Sequence, residues 1–178
     1  MFEGMGDSRL RFSAMKTLLI VYHSMTGGTQ QLAQAAAAGA TAGSALVQIR
    51  LLRAIEAGPE DVLAADAYVF ATPENLASMS GLMKDFFDRT YYAALDRING
   101  RAYASLICAG SDGRNAARQI ERIATGWRLK AVADPLIVCT HVQTPEEIFR
   151  PKQIVPEELR RCEELGTAIA VGLDLGVF

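Results

Sequence analysis

Short apolar runs alternate along the chain with segments whose apolar positions recur about every three to four residues. Runs of the first kind are typical of strands buried in a parallel sheet, and the second pattern is typical of helices packed on such a sheet. The pattern predicts five strands, over residues 16–23, 45–52, 67–72, 103–109 and 131–139. It predicts helices over residues 29–40, 58–64, 79–95, 115–125 and 156–175.

This alternation of strand and helix predicts an α/β fold with a parallel sheet, because parallel neighbours need crossover helices. We expect residues 15–178 to form a single domain and residues 1–14 to form an N-terminal extension. Pro135 lies within the last predicted strand and indicates an edge position or a bulge, since proline donates no ladder hydrogen bond.

Composition and charge exclude several classes of function. The net charge of −2 offers no basic face for nucleic acid, so no nucleic-acid partner is expected. No apolar run approaches a membrane span, and residues 1–14 lack the apolar core of a signal peptide. The chain has an odd number of cysteines, and they are far apart in sequence: Cys108, Cys139 and Cys162. This predicts reduced thiols in a cytoplasmic protein.

A turn rich in hydroxyl groups and glycine follows the first predicted strand and leads directly into a helix. Its residues are Ser24, Met25, Thr26, Gly27, Gly28 and Thr29. The free N–H groups and the positive end of the helix dipole favour an anion at such a place. Glycine lets the main chain come close to that anion. The turn therefore predicts a phosphate site, and the alternative is a helix start that binds no ligand.

Two motifs carry a resemblance to a known family. The spacing Ser24-x-Thr26-Gly27-x-Thr29 resembles the loop with which flavodoxins hold the phosphate of FMN. The run MSGLMKDFFDR, which begins at Met79, resembles NAD(P)H-dependent FMN reductases and the quinone oxidoreductases once called tryptophan-repressor-binding proteins. The resemblance implies a three-layer flavodoxin-like fold, with helices on both faces of a five-stranded parallel sheet of order 2-1-3-4-5.

The same resemblance implies FMN as the cofactor and NAD(P)H as the co-substrate. It places the second turn at the flavin ring, with contacts from Pro73, Glu74, Asn75 and Leu76, and with Ser78 and Met79 close by. Relatives often carry an aromatic residue followed by Gly-Asn before the Met-Ser-Gly run, where this chain has Leu76, Ala77 and Ser78. Leu76 can cover a flat apolar ring but offers no aromatic stacking.

The third turn follows the fourth predicted strand and is implied to flank the pyrimidine side of the ring. Its residues are Ala109, Gly110, Ser111, Asp112 and Gly113. The alternative is a loop whose Ser111 or Asp112 only caps the next helix. Arg114 and Asn115 either reach a substrate phosphate or cap that helix.

The implied function is an FMN-binding oxidoreductase that passes electrons from NAD(P)H to a quinone or similar small acceptor. The flavin carries the redox chemistry, so no catalytic side chain and no metal are expected. A flavodoxin-type electron carrier and a flavin-fold regulatory protein with little turnover remain as alternatives. The net charge of −2 argues against the carrier, because such carriers are strongly acidic. The family resemblance also implies a homodimer or tetramer.

Three further features have two interpretations each. His23 either contacts a ligand or fills the end of its strand. Cys139 and His141 are a pair suited to nucleophilic or metal chemistry, but no further ligand set accompanies them, so neither is expected. Residues 140–155 are long for a connection and either cover the flavin or form a surface excursion.

Overall fold

The computed structural model describes residues 15–178, so the predicted extension over residues 1–14 lies outside the described residues. The strands are β1 (Lys16–Tyr22), β2 (Val47–Arg53), β3 (Ala67–Asn75), β4 (Ser78–Met79), β5 (Ala102–Ala109), β6 (Lys130–Ala131) and β7 (Leu136–Cys139). The helices are α1 (Gly28–Gly43), α2 (Pro59–Ala64), α3 (Gly81–Ala94), α4 (Arg114–Gly126), α5 (Pro145–Phe149) and α6 (Pro156–Asp174).

The main sheet has the order β2-β1-β3-β5-β6, and β7 also pairs with β5. Every one of these pairs is parallel. Because β6 and β7 together make the last predicted strand, the observed order equals the predicted order 2-1-3-4-5. The predicted flavodoxin-like α/β fold is therefore confirmed.

The edge strand is interrupted where the sequence contains Pro135. Its register advances by five residues from Ala131 to Leu136, while β5 advances by three, from Tyr103 to Leu106. Proline cannot donate to the ladder, and the extra residues leave the sheet at this point. The predicted bulge is confirmed, and the prediction of one continuous strand over residues 131–139 is wrong.

Most other boundaries shift by a few residues, and two differences bear on the site. Met79 does not begin a helix, because it belongs to β4, which forms an antiparallel hairpin with the end of β3. The helix begins at Gly81, after Ser80, whose hydroxyl accepts a hydrogen bond from the Met83 N–H. Residues 140–155 contain the short helix α5, which begins with a capping box formed by Thr144 and Glu147.

The sheet separates two apolar layers. Alanine-rich α1 packs with α6 on one face, and Phe70, Phe86, Phe87 and Trp127 form an aromatic cluster on the other face. A Cβ atom at Gly166 of α6 would overlap the Ala36 carbonyl of α1, so the two helices touch backbone to backbone. This contact fixes α1, which carries the phosphate-type turn at its start. All three cysteines are free thiols.

Candidate functional site

The three turns singled out in the sequence lie at the carboxyl ends of β1, β3 and β5, which are neighbours in the sheet. The first turn touches the second, with Asn75 Nδ2 at 3.7 Å from Met25 Sδ. The second turn touches the third, since the Gly113 N–H donates to the Glu74 carboxylate at 2.7 Å. The structure thus brings the three turns together at the edge where doubly wound sheets bind ligands.

The first turn, residues 24–29, is called the phosphate loop after the ligand that its sequence predicts, and it presents an uncapped helix start. Gly27 is the N-cap of α1, with φ of 83°, and as a glycine it has no side chain to cap the first turn of that helix. The Ser24 hydroxyl accepts the Gly27 N–H at 3.1 Å and so shapes the loop. Because the first N–H groups of a helix lack intrahelical partners, this end is suited to an anion.

Thr29 gives the strongest indication that an anion fits here. Its side chain is buried, and Thr29 Oγ1 makes no well-aligned hydrogen bond within residues 15–178, although the Cys108 thiol lies beside it. A buried hydroxyl without a partner costs about 1–3 kcal/mol. A phosphate oxygen at the start of α1 would give this hydroxyl an acceptor, so the residues present fit the phosphate of a nucleotide.

Gly28 is required by packing rather than by its backbone angles. A Cβ atom at this position would lie 2.6 Å from Cys108 Sγ and 3.4 Å from Lys152 Cβ. The loop therefore rests directly on the end of β5. Burial raises the pKa of the Cys108 thiol to about 11, so this cysteine stays protonated at neutral pH and acts as packing.

The strap, residues 140–155, is attached to the phosphate loop of its own chain. The Lys152 N–H donates to the Thr26 carbonyl at 2.7 Å. The Gln31 side chain donates to the carbonyls of Gly27 at 3.0 Å and Lys152 at 2.7 Å, and it accepts the Ile154 N–H at 3.1 Å. These bonds hold the loop from the side opposite the sheet.

Lys152 and Gln31 are the residues that sequence reasoning missed. The Lys152 ammonium donates to the carbonyls of Glu147, Ile148 and Arg150, at 2.5, 2.9 and 2.8 Å. It therefore closes the end of α5 and folds the strap back on itself. No local motif marks either residue, because the Gln31–Lys152 contact joins positions 121 residues apart.

The second turn is a tight hairpin whose two tip residues, Leu76 and Ala77, have φ of 51° and 56°. This left-handed region favours glycine and asparagine, so both residues are strained. Leu76 has a relative exposure of 101%, so none of the described residues covers its side chain. This apolar side chain is therefore available to contact a ligand.

Side chains of α4 hold the hairpin in place. Gln119 Oε1 accepts from the Ser78 hydroxyl at 2.9 Å and from the Met79 N–H at 2.8 Å. Asn115 Nδ2 donates to the Ala77 carbonyl at the tip. Asn115 thus supports the hairpin, a role that its two interpretations, helix cap or phosphate ligand, did not include.

The Glu74 carboxylate caps α4 from the second turn. It accepts the N–H groups of Gly113 at 2.7 Å and Ala116 at 3.3 Å. Neither Ser111 nor Asp112 caps this helix, since its N-cap is Gly113 and Asp112 pairs with Arg114 at 2.6 Å. The capping alternative for the third turn is therefore wrong.

Cys139 ends β7, and His141 follows it by two residues. Cys139 Sγ lies 3.7 Å from the Asp112 carbonyl, and burial together with the Asp112 carboxylate raises the pKa of its thiol. His141 contributes its backbone N–H to the Gly110 carbonyl at 2.7 Å. Within residues 15–178, no group of three or more His, Cys, Asp or Glu side chains has a geometry that holds a metal ion.

His23 lies just before the phosphate loop and keeps the end of β1 paired with β3 through its backbone, which donates to Ala71 at 3.0 Å. Burial, followed by the nearby positive charge of Arg53, lowers the pKa of its imidazole. The ring is neutral at physiological pH. Its Nδ1 atom is buried and has no partner in the described part of the chain.

A pocket of about 530 Å³ lies under the strap, between the end of β7 and the start of α6. Cys139, His141, Glu147, Arg150 and Glu158 are among its walls, whereas none of the residues expected to contact the flavin lines it. The space between the three turns is called the cleft below, and the Met25 and Asn75 side chains touch across it.

Among the described helices, none combines the length and the apolar character needed to cross a membrane.

Comparisons with known proteins agree with this geometry. A flavodoxin from Aquifex aeolicus (strain VF5) is 32% identical over 99 residues, which cover 56% of this chain and 53% of that protein. An NAD(P)H dehydrogenase (quinone) from Acidithiobacillus ferrooxidans is 33% identical over 95 residues, which cover 43% of this chain and 48% of that protein. The chain thus spans about half the length of these two relatives.

A solved flavodoxin from the domain Archaea shares the fold, with a TM-score of 0.72 at 20% identity over 89% of this chain and 99% of that chain. Residues 15–142 match the model of a protein family described as NADPH-dependent FMN reductase. This match includes the phosphate loop, the hairpin and the third turn, and it covers most of the chain. The protein therefore belongs to the NADPH-dependent FMN reductase family.

Proposed function

We propose that this protein binds FMN in the cleft between the three turns and passes electrons from NAD(P)H to a quinone or similar small acceptor. Family membership supports FMN and NADPH. The relative from Acidithiobacillus ferrooxidans, which is named as an NAD(P)H dehydrogenase (quinone), supports a quinone as the acceptor. When bound, FMN supplies the redox chemistry, so the chain has only to bind and orient it.

The observation that carries this proposal is the start of α1, where free N–H groups and the buried, unpaired Thr29 hydroxyl lie together. The hydroxyls of Ser24 and Thr26 lie in the same loop and add two more possible donors. No basic side chain belongs to this loop, so helix dipole and N–H groups would hold the phosphate.

The second and third turns would hold the ring. The hairpin is fixed to α4, and Glu74 fixes the third turn to the hairpin. The second and third turns therefore form one unit. Because the Glu74 carboxylate is used as a cap, its contact with the ring would come from its main chain. The proposed FMN contacts are Ser24, Met25, Thr26, Gly27, Gly28, Thr29, Pro73, Glu74, Asn75, Leu76, Ser78, Met79, Ala109, Gly110, Ser111, Asp112 and Gly113.

A single isosteric change tests the site. Thr29→Val removes the unpaired hydroxyl and keeps the shape of the side chain. We expect FMN affinity, measured by quenching of flavin fluorescence, to fall about tenfold, because a charge-assisted hydrogen bond is lost. The melting temperature of the protein without FMN should rise slightly, because a buried unpaired hydroxyl is gone.

The matched control is Thr41→Val, on the same helix, whose hydroxyl donates to the Ala37 carbonyl away from the loop. It should leave FMN affinity unchanged. Unchanged affinity in both Thr29→Val and the double variant Thr26→Ala with Thr29→Ala would reject the phosphate site.

A flavodoxin-type carrier is the second candidate, and the relative from Aquifex aeolicus favours it. Steady oxidation of NADPH that depends on added quinone selects the reductase. FMN binding without such turnover, together with electron delivery to a partner protein, selects the carrier. If FMN-loaded protein shows neither quinone-dependent NADPH oxidation nor electron delivery to a partner protein, the regulatory alternative is selected.

We also propose that the protein is a homodimer or tetramer. Support comes from α3, where Leu82 and Tyr91 are partly exposed and Tyr92 has a relative exposure of 87%. Uncovered apolar surface of this kind is common where subunits meet. Light scattering on the purified protein tests the proposal, and a monomer at all concentrations contradicts it.

A further inference from the structure

A second, positively charged site lies beside the third turn, on the first two turns of α4. Asp112, Arg114, Asn115 and Arg118 line a surface pocket of about 310 Å³. Arg114 and Arg118 are four residues apart on the helix, so their side chains lie on the same face. Both are exposed to solvent. The pocket shares no residue with the phosphate loop.

The charge of this pocket is opposite in sign to that of the whole chain, which has a net charge of −2. Two guanidinium groups face one carboxylate there. Asp112 is paired with Arg114 at 2.6 Å, whereas Arg118 makes no ion pair with any of residues 15–178. Arg118 therefore keeps its planar set of N–H donors available for an anion.

The position of the pocket relates it to the cleft. Asp112 belongs both to the pocket and to the third turn, and Asn115 connects the pocket to the tip of the hairpin. Arg114 and Arg118 follow the third turn along α4, so the pocket adjoins this side of the cleft. The Lys152 ammonium, on the strap, is occupied by three carbonyl groups.

We propose that Arg114 and Arg118 bind a phosphate group of the dinucleotide electron donor, with Arg118 as the main contact. This inference rests on the proposed function, since it assumes a donor that reaches the cleft. Guanidinium groups bind phosphate oxygens in a paired, planar geometry, which suits this ligand better than a quinone, which carries no anionic group. The source is either the diphosphate bridge or the 2′-phosphate that distinguishes NADPH from NADH.

Arg118→Ala and Arg114→Ala in FMN-loaded protein test the inference. Arg118→Ala should raise the KM for the dinucleotide about tenfold with little change in kcat, because the lost contact lies away from the reacting ring. Arg114→Ala should have a smaller effect, since Asp112 already engages that side chain. Arg118→Lys keeps the charge but not the fork, so it should recover part of the loss.

A direct binding measurement supports the kinetics. Calorimetric titration with adenosine 2′,5′-bisphosphate and with ADP should show that Arg118→Ala weakens one or both ligands about tenfold. The control is Arg122→Ala, an exposed arginine one turn further along α4 that does not line the pocket. It should leave every value unchanged. Added salt should weaken binding to the wild type more than to Arg118→Ala.

The two phosphate sources give different results. If Arg118→Ala raises the KM for NADPH alone and weakens binding of the bisphosphate but not of ADP, the pocket binds the 2′-phosphate. A rise for NADPH and NADH together, with loss of both ligands, assigns the diphosphate. Unchanged KM and unchanged ligand affinity in the double variant Arg114→Ala with Arg118→Ala overturn the inference.

FMN affinity, measured on each protein first, separates this inference from the proposed function. If the wild type does not bind FMN, the proposed function fails. If FMN binds equally to all variants and Arg118→Ala changes neither the KM nor the affinity for the dinucleotide, only the arginine site fails.

Discussion

The phosphate loop and the β3–β4 hairpin form two walls of the same cleft, yet their sequences relate to their backbones in opposite ways. In the loop, the residue with φ of 83° is Gly27, and the position without room for a side chain is Gly28. In the hairpin, Leu76 and Ala77 adopt positive φ although neither is glycine or asparagine. The loop is thus encoded locally, whereas the hairpin depends on what surrounds it.

What surrounds the hairpin is α4. Gln119 and Asn115 satisfy its backbone and its Ser78 hydroxyl, and they compensate for a conformation that costs about 1 kcal/mol or more at each tip residue. Strain retained beside a binding cleft is a frequent property of functional sites. We therefore expect the loop to supply affinity by its preformed shape, and the hairpin to present an exposed apolar surface at a cost in stability.

The largest expected effect is in the loop. Gly28→Ala places a methyl group 2.6 Å from Cys108 Sγ, and overpacking of this kind costs about 1–3 kcal/mol. We expect that loss in denaturant unfolding and a strong loss of FMN affinity. Adding Cys108→Ala should recover part of both, because the sulfur is removed. Gly126→Ala, with nothing within 4 Å of the new Cβ, is the control and should be neutral. If Gly28→Ala and Gly126→Ala have equal effects on stability and FMN affinity, the loop does not depend on the lack of room at position 28.

The hairpin should respond in the opposite direction. Leu76→Asn with Ala77→Gly introduces the residues that this turn prefers and should stabilise the protein by about 1 kcal/mol. FMN affinity or turnover should fall, because the exposed apolar side chain is lost. Leu46→Asn, at an exposed leucine with ordinary backbone angles, serves as the control and should not stabilise. A melting temperature unchanged by the double substitution would show that the tip is unstrained.

Support of the hairpin by α4 is tested by Gln119→Ala. The change leaves the Ser78 hydroxyl and the Met79 N–H without their acceptor, and we expect a loss of about 0.5–1 kcal/mol. Hydrogen exchange at the Met79 N–H should become faster while the phosphate loop is unaffected. Faster exchange in the loop as well would mean that the two walls are coupled rather than separate.

The smallest expected effect is the pH dependence caused by His23. Its pKa in the folded chain lies below the ordinary value of 6.5, so the unfolded chain takes up a proton that the folded chain does not. Stability should therefore decrease as the pH falls from about 7.5 to about 5.5. Denaturant unfolding should show a weaker decrease in His23→Gln. The same slope in both proteins would exclude His23 as its source.

Much of the fold follows from the sequence, since hydrophobic periodicity located every main strand and the glycine turn placed the first crossover. The phosphate loop was also accessible, because its residues are consecutive. The contact between the strap and the loop could not be predicted, because Gln31 and Lys152 are far apart in sequence and neither belongs to a motif. The hairpin was missed for a different reason, because Leu76 and Ala77 carry none of the chemistry that predicts a tight turn.

The Gln31 amide group links the start of α1 to Lys152 and Ile154, so the loop and the strap share one mechanical connection. We therefore expect a nucleotide bound at the loop to restrain a segment more than a hundred positions away along the chain. The exchange rates of the Lys152 and Ile154 amide protons would follow how long the nucleotide resides in the protein. Hydrogen exchange in the strap would thus report cofactor binding and release without an optical signal from the flavin.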